Sequence, residues 1–155
     1  MPIDAAVLIA ACPDAILVLD AEGTCRDANP AATRLLGYTR DELLVLPVRE
    51  LIAEPIDWMQ AVYGQMQLED AWRGEAHLRR KDGGIATVDA WSIRVEDGDR
   101  LRFVTFLRDI TAERVAEAAH SAIQMQLEQV LERMSDGFFA FDPAWRITAM
   151  NAAAE

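Results

Sequence analysis

Lysine is nearly missing from this chain. Lys81 is the single one, and the 15 basic residues are outnumbered by 26 acidic ones. The net charge of −11 argues against nucleic acid or an anionic membrane as partner, because both reward positive charge. Cysteine is scarce too: Cys12 and Cys25 make no disulfide framework, which points to a reducing cytosol. The two histidines, His77 and His120, stand far apart, which argues against a metal cluster or a histidine-based triad. No apolar run reaches the roughly 18–20 residues needed to cross a bilayer. The N-terminus lacks the basic start of a secretory signal. Enzyme motifs are missing as well: there is no Gly-rich phosphate loop, GxSxG, HExxH or CxxC. What is present is a globular composition, 52% hydrophobic and 26% charged, at about the length of one domain.

Residues 14–33 recur loosely at 136–155. DAILVLDAEGTCRDANPAAT aligns with DGFFAFDPAWRITAMNAAAE at a constant offset, Asp14 meeting Asp136, Asp20 Asp142 and Asn29 Asn151. The organisation read from this is an N-terminal helix (1–12), one complete module (13–111), a helical connector (112–134) and the start of a second module (135–155). Such a chain is expected to be a piece of a longer protein. Residues 4–12 suit a short helix with Asp4 as cap. Strands are predicted at 15–20 and 24–28 around the Ala21-Glu22-Gly23 turn. Helical patterns follow at 29–36, ended by Gly37, and at 41–44 with Asp41 as cap, then at 57–69. Three more strands are predicted at 73–81, 85–95 and 101–109, joined by turns with Asp-Gly. The truncated copy offers Phe138, Phe139, Phe141 and Trp145 without a sheet to receive them. It is expected to be disordered, packed against a neighbour or captured by another chain.

Alternation assigns faces. In the third strand Gly74, Ala76 and Leu78 share the apolar side, and His77 lies on the polar side. In the fourth and fifth strands both sides carry large apolar groups, so alternation alone leaves the inner face open.

The motifs LVLDAEG…ANPAATRLLGYTRDEL (17–43), WRGEAHLRRKDGG (72–84) and FLRDITAERV (106–115) resemble PAS domains, sensory modules of bacterial signalling proteins. The resemblance implies an α+β fold: a five-stranded antiparallel sheet with helices on one face, the N-terminal helix on the other and a C-terminal signalling helix. It also implies that residues 86, 88, 90 and 92 and residues 103, 105 and 107 point inward. The inner wall then carries small side chains, Gly74, Ala76, Ala86, Ala90 and Ser92. Either a ligand takes the volume they leave, or Trp58, Met59, Tyr63 and Met66 fill it, as close packing favours. Pocket candidates are Val18, Asp27, Trp58, Tyr63, Trp72, Ala76, Ala90, Ser92, Thr105 and Leu107. Asp27, inward by parity with Cys25, needs a partner, and an arginine is favoured over a polar ligand. Trp91, Ile93, Val104 and Phe106 fall together on the outer face. Their cover is the N-terminal helix through Ile3, Val7 and Leu8, or a twofold partner.

Cofactors are narrowed by the same resemblance. Light-sensing flavin members carry a cysteine in an Asn-Cys-Arg-type motif, which neither Cys12 nor Cys25 matches, and a glutamine where this chain has Leu107. Haem members commonly use a histidine on the helix before the third strand, and residues 50–70 contain none. No cofactor is favoured. A non-covalent flavin stays open because Trp72 resembles a tryptophan of some redox-sensing members, though in this family it is more often simply a core residue.

Asp109-Ile110-Thr111 resembles the junction that ends many PAS domains, with Thr111 as cap of the next helix and Glu113 in its first turn. Residues 112–134 contain no glycine or proline. Heptads place Glu113, His120, Leu127 and Met134 at one seam position and Ala116, Ile123 and Val130 at the other, a short coiled coil. Ile123, Leu127 and Val130 therefore join Val7, Leu8, Trp91, Ile93, Val104 and Phe106 as dimer candidates. Packing within one chain is the competing reading of that helix. His120 in AAHSAIQMQ does not resemble the phosphoacceptor motif of kinases and reads as a partly buried seam residue. The expected function is a cytoplasmic, homodimeric sensor that relays a signal through 109–134 to a downstream PAS domain and an output domain. A sensor histidine kinase is the leading context and a cyclic-dinucleotide enzyme the runner-up. The alternatives are a ligand-free dimerisation scaffold and a flavin-type redox sensor. No catalytic or metal residue is expected in this fragment.

Overall fold

Alternating runs and tight turns become a five-stranded antiparallel sheet in the computed structural model, which describes residues 3–133 and 137–150. The strands are β1 (Ala15–Asp20), β2 (Cys25–Ala28), β3 (Ala71–Arg79), β4 (Ile85–Asp97) and β5 (Arg100–Asp109). Their order is β2-β1-β5-β4-β3, so the last strand sits at the centre beside the first. Helices α1 (Ala5–Ala11), α2 (Pro30–Leu36), α3 (Arg40–Leu43), α4 (Val48–Leu51) and α5 (Ile56–Glu69) complete the first unit, residues 1–112.

Local chemistry sets the ends. The Asp4 carboxylate accepts from the amide of Ala6 and starts α1. Asn29 caps α2 through the amide of Ala32, and Gly37 ends it at φ 79°, a left-handed conformation that costs glycine little. The cap of α3 is Thr39 rather than the expected Asp41. Thr39-Arg40-Asp41-Glu42 closes a reciprocal capping box, and Asp41 instead lies in the first turn, where its charge suits the helix dipole. Helix α4 was not anticipated; four residues are too few for a period to be read. Asp70 ends α5 in the left-handed region at φ 58°. Its carbonyl accepts from the amide of Arg94, and its carboxylate accepts from that guanidinium.

The inner face of the sheet carries the core. Ala76, Leu78, Ala86, Val88, Ala90, Phe103 and Leu107 are buried, as are Leu17, Leu19 and Cys25 from β1 and β2. Leu36, Leu43 and Leu51 close over them from α2, α3 and α4. Each fully buried leucine is worth about 1.5–3 kcal/mol relative to exposure. One irregularity matters. Between β1 and β2 the register passes from Val18↔Asp27 to Leu19↔Cys25, leaving Arg26 without a partner. That bulge puts two residues against one and reverses the parity beyond it.

The second unit, residues 113–155, is described by itself. It contains nearly all of α6 (Thr111–Arg133), followed by a ribbon of β6 (Phe139–Phe141) and β7 (Ile147–Met150). No residue of α6 is buried; Ile123, Leu127 and Val130 are 66%, 58% and 54% exposed. His120 is exposed as well in the single chain. Met134 lies outside the described residues. Within the start of the second module, β6 and β7 pair antiparallel as a hairpin over 139–150. Phe139 stacks on Phe141, and Trp145 packs beside Phe141.

Candidate functional site

Between the concave face of the sheet and α5 lies a cavity of about 80 Å3. Strands β3, β4 and β5 supply its floor: Trp72, Ala76, Ala90, Ser92, Thr105 and Leu107, all of them predicted pocket residues, with Leu78 and Phe103. Helix α5 supplies the roof through the predicted Trp58 and Tyr63, with Met59, Val62 and Met66. Leu17 and Leu19 close one side, and Val48, Leu51 and Ile52 another. These last five were missed. Both faces of AILVLD are apolar, and α4 gave no periodic signal. Side chains of α5 cover the small-residue wall, and a space remains beneath them.

Two of the predicted residues are elsewhere. Val18 alternates with Leu17 and Leu19 and stands opposite Val104 on the outer face, not in the cavity. Asp27 also points outward, because the bulge at Arg26 breaks its parity with Cys25. It does find the favoured arginine: Nη2 and Nε of Arg40 donate to Oδ1 at 2.9 and 3.1 Å. His77 is half-exposed, with Nδ1 2.6 Å from Oε1 of Glu54.

Shape in the cavity rests on aromatic packing. Trp58 meets Trp72 edge to face, with centroids 5.4 Å apart at 89°. The Trp72 indole lies across Gly74, where a Cβ would come within 2.7 Å of Cζ2. Tyr63 meets Phe103 edge to face at 6.1 Å, and its hydroxyl sits over Gly23, where a Cβ would come within 2.9 Å. Gly23 is also at φ 78°, so two constraints select glycine there. Burial, with the nearby Asp20 carboxylate second, pushes the Tyr63 phenol above its usual range. Tyr63, Met59 and Val48 also line an open groove beside the β1–β2 turn.

The polar groups of the lining residues are the hydroxyls of Tyr63, Ser92 and Thr105 and the indole N–H groups of Trp58 and Trp72. Ser92 is 5% exposed, and its Oγ is 2.9 Å from Oγ1 of Thr105 on the neighbouring strand. No charged side chain lines the space. No histidine lines it either, and its volume is about half that of a 150 Å3 cavity that admits benzene. A haem or the three-ring head of a flavin does not fit this conformation. Burial pushes the thiol of Cys25 up to about 11, so it is neutral and unreactive at physiological pH. Among the described residues no cluster of three potential metal ligands occurs, and no helix is long and apolar enough to cross a membrane.

Strand β5 leads from Thr105 and Leu107 into the junction. Oδ1 of Asp109 accepts from the amide of Thr111 at 2.9 Å and from its hydroxyl at 2.5 Å. Oδ2 accepts from Arg80 at 3.0 Å. The Thr111 hydroxyl in turn accepts from the amide of Thr87 on β4 at 2.9 Å, so it ties the helix start to the sheet instead of capping α6. Arg80 also donates to the carbonyl of Leu35 at the end of α2. Arg80 was missed as a site residue, since KDGG beside it reads only as a turn. Burial raises the Asp109 carboxyl, but the bonds from Thr111 and Arg80 outweigh it and hold the group below the usual value of 3.8.

On the outer face Trp91 is 48% exposed and packs at 5.7 Å against Phe106, with Ile93 and Val104 half-buried beside them. The expected cover by α1 is not formed: Ile3, Val7 and Leu8 are themselves exposed, and α1 buries none of its residues. Its tether to the sheet is polar, the Asn29 amide donating to the carbonyl of Ile9.

A PAS-domain family model matches residues 13–112, and a second PAS-domain model matches 125–155. The nitrogen fixation regulatory protein of Klebsiella oxytoca is 26% identical over 143 residues, covering 90% of this chain and 29% of that protein. The chain thus spans under a third of that relative's length. A domain of a sensory box sensor histidine kinase/response regulator from Geobacter sulfurreducens is 30% identical with a TM-score of 0.59, covering 66% of this chain and 89% of that one. The PAS domain of a Colwellia psychrerythraea protein is 26% identical with a TM-score of 0.63, covering 69% and 94%. With this sheet order, this cavity and a family model matching most of its length, the chain belongs to the PAS domain family, a sensor module followed by the start of a second one.

Proposed function

We propose that residues 13–111 are the input and dimerisation module of a cytoplasmic signal-transduction protein, with a sensor histidine kinase as its output. The observation that carries this reading is continuity. Ser92 and Thr105 line the cavity on β4 and β5, and β5 ends at Asp109, one residue before α6 begins at Thr111. A ligand that shifts β5 strains the bonds of Asp109 to Arg80 and of Thr111 to Thr87, which set where α6 begins. Helix α6 exposes Ile123, Leu127 and Val130 on one seam, which a second copy would cover, and a weak seam suits a switch. The kinase output is supported by the likeness to the Geobacter kinase domain; a cyclic-dinucleotide enzyme is the runner-up. This fragment is read as non-catalytic. The exposed outer face of Trp91 and Phe106 is the proposed sheet contribution to the dimer.

A second reading, a dimerisation scaffold without ligand, draws on the small cavity volume. Native mass spectrometry of the 155-residue chain, with its near-ultraviolet and blue absorbance, separates the two. A dimer that gains non-protein mass when a small ligand is added in excess is expected. A dimer with no added mass and no ligand uptake selects the scaffold, and a monomer at micromolar concentration removes both.

A further inference from the structure

We propose that the cavity under α5 takes a small uncharged molecule bearing one oxygen, an alcohol or a ketone, held by the paired hydroxyls of Ser92 and Thr105. This rests on the reading of the cavity as the sensor's input site. Charge decides the first point. No charged side chain lines the space, so an anion or cation would lose its water with nothing to replace it. Hydrogen bonding decides the second. Each hydroxyl has one hydrogen and two lone pairs. At 2.9 Å one hydrogen is shared between Ser92 and Thr105. The other hydrogen and the remaining lone pairs offer one donor and several acceptor sites. An alcohol can use both kinds and a ketone can use the donor, whereas a hydrocarbon uses neither. Tyr63, the other hydroxyl of the lining, stands where the cavity meets the outer groove.

Volume decides the third point. A cavity of about 80 Å3 admits about three to five non-hydrogen atoms, judged against a benzene-sized cavity of 150 Å3. Met59 and Met66 in the roof can adjust to shape without altering that class. A ligand of this size binds weakly, at about millimolar concentration.

The test is a titration of the 15N-labelled 155-residue chain with propan-1-ol and with 1-chloropropane, which has the same number of non-hydrogen atoms and no hydroxyl. Both are expected to shift the amides around Ala90, Ser92 and Thr105. The double variant Ser92→Ala, Thr105→Val is expected to weaken propanol about five- to tenfold and to leave chloropropane within about twofold. Equal losses for both probes, or no loss for propanol, overturn the ligand class and leave the cavity as an input site. If neither probe shifts those amides in the wild type, the input-site reading fails and this proposal with it. Should the double variant lose its native spectrum, the wild type decides: propionate and propylammonium are expected to bind at least about tenfold more weakly than propanol. Equal binding of either ion overturns the proposal.

Discussion

Asp109 holds three hydrogen bonds from two residues, and its ionised form is what they need. Its folded pKa lies below 3.8, so its contribution to stability is complete above that value and is lost as pH falls through the folded pKa. Asp109→Asn should therefore destabilise the chain at neutral pH, and the gap to wild type should shrink as pH drops below about 4. Urea unfolding at neutral and acid pH measures it; a gap that is constant with pH would show that the charge is not what matters. Asp109 and Thr111 were legible beforehand because their motif is local. Arg80, 29 residues away, was not, since its pairing depends on the β3–β4 turn meeting the end of β5. Val18 and Asp27 were misplaced for a related reason. Alternation gives the two faces of a strand without saying which is inner, and one bulge at Arg26 reverses it.

At the scale of elements, the covering helix and the strands beneath it are matched through single small residues. Gly74 lets the Trp72 indole cross the strand and reach Trp58. Gly74→Ala would place a methyl group about 2.7 Å from that ring. It should cost about 1–3 kcal/mol by overpacking, visible as a lower thermal midpoint, and should displace Trp72. A change in tryptophan fluorescence is expected with it, and an unchanged midpoint would argue that the ring is free to move. Element positions were largely readable: period-two runs, Asp-Gly turns and caps lie within a few residues of each boundary. Helix α4 and the α3 cap were not, because four-residue helices carry too little pattern and two acids compete with one threonine for the cap role.

At the scale of the molecule, Trp91 on the outer face and Ile123, Leu127 and Val130 on α6 stay exposed among the described residues. Trp91 is half-exposed beside Phe106, and α1 leaves Val7 and Leu8 in solvent. A second copy of this chain is the proposed cover. Trp91→Arg should then weaken self-association by about tenfold or more, since interface energy concentrates in central aromatic residues. Sedimentation equilibrium gives the constant, and an unchanged one would remove the sheet face from the interface and leave α6 to carry it.

The order of elements, the apolar side of β3, the junction at 109–111 and the kinship of the module were set by local pattern, since turns, caps and alternation are encoded within a few residues, while the inner face of β4 came from the family resemblance. The tertiary structure alone decided that a space of about 80 Å3 survives beneath α5, that Asp27 faces solvent, and that Arg80 binds the junction. A cavity is the difference between what side chains fill and what the backbone encloses. No single stretch of chain contains that difference, because it arises only where β1, β3, β4, β5, α4 and α5 meet.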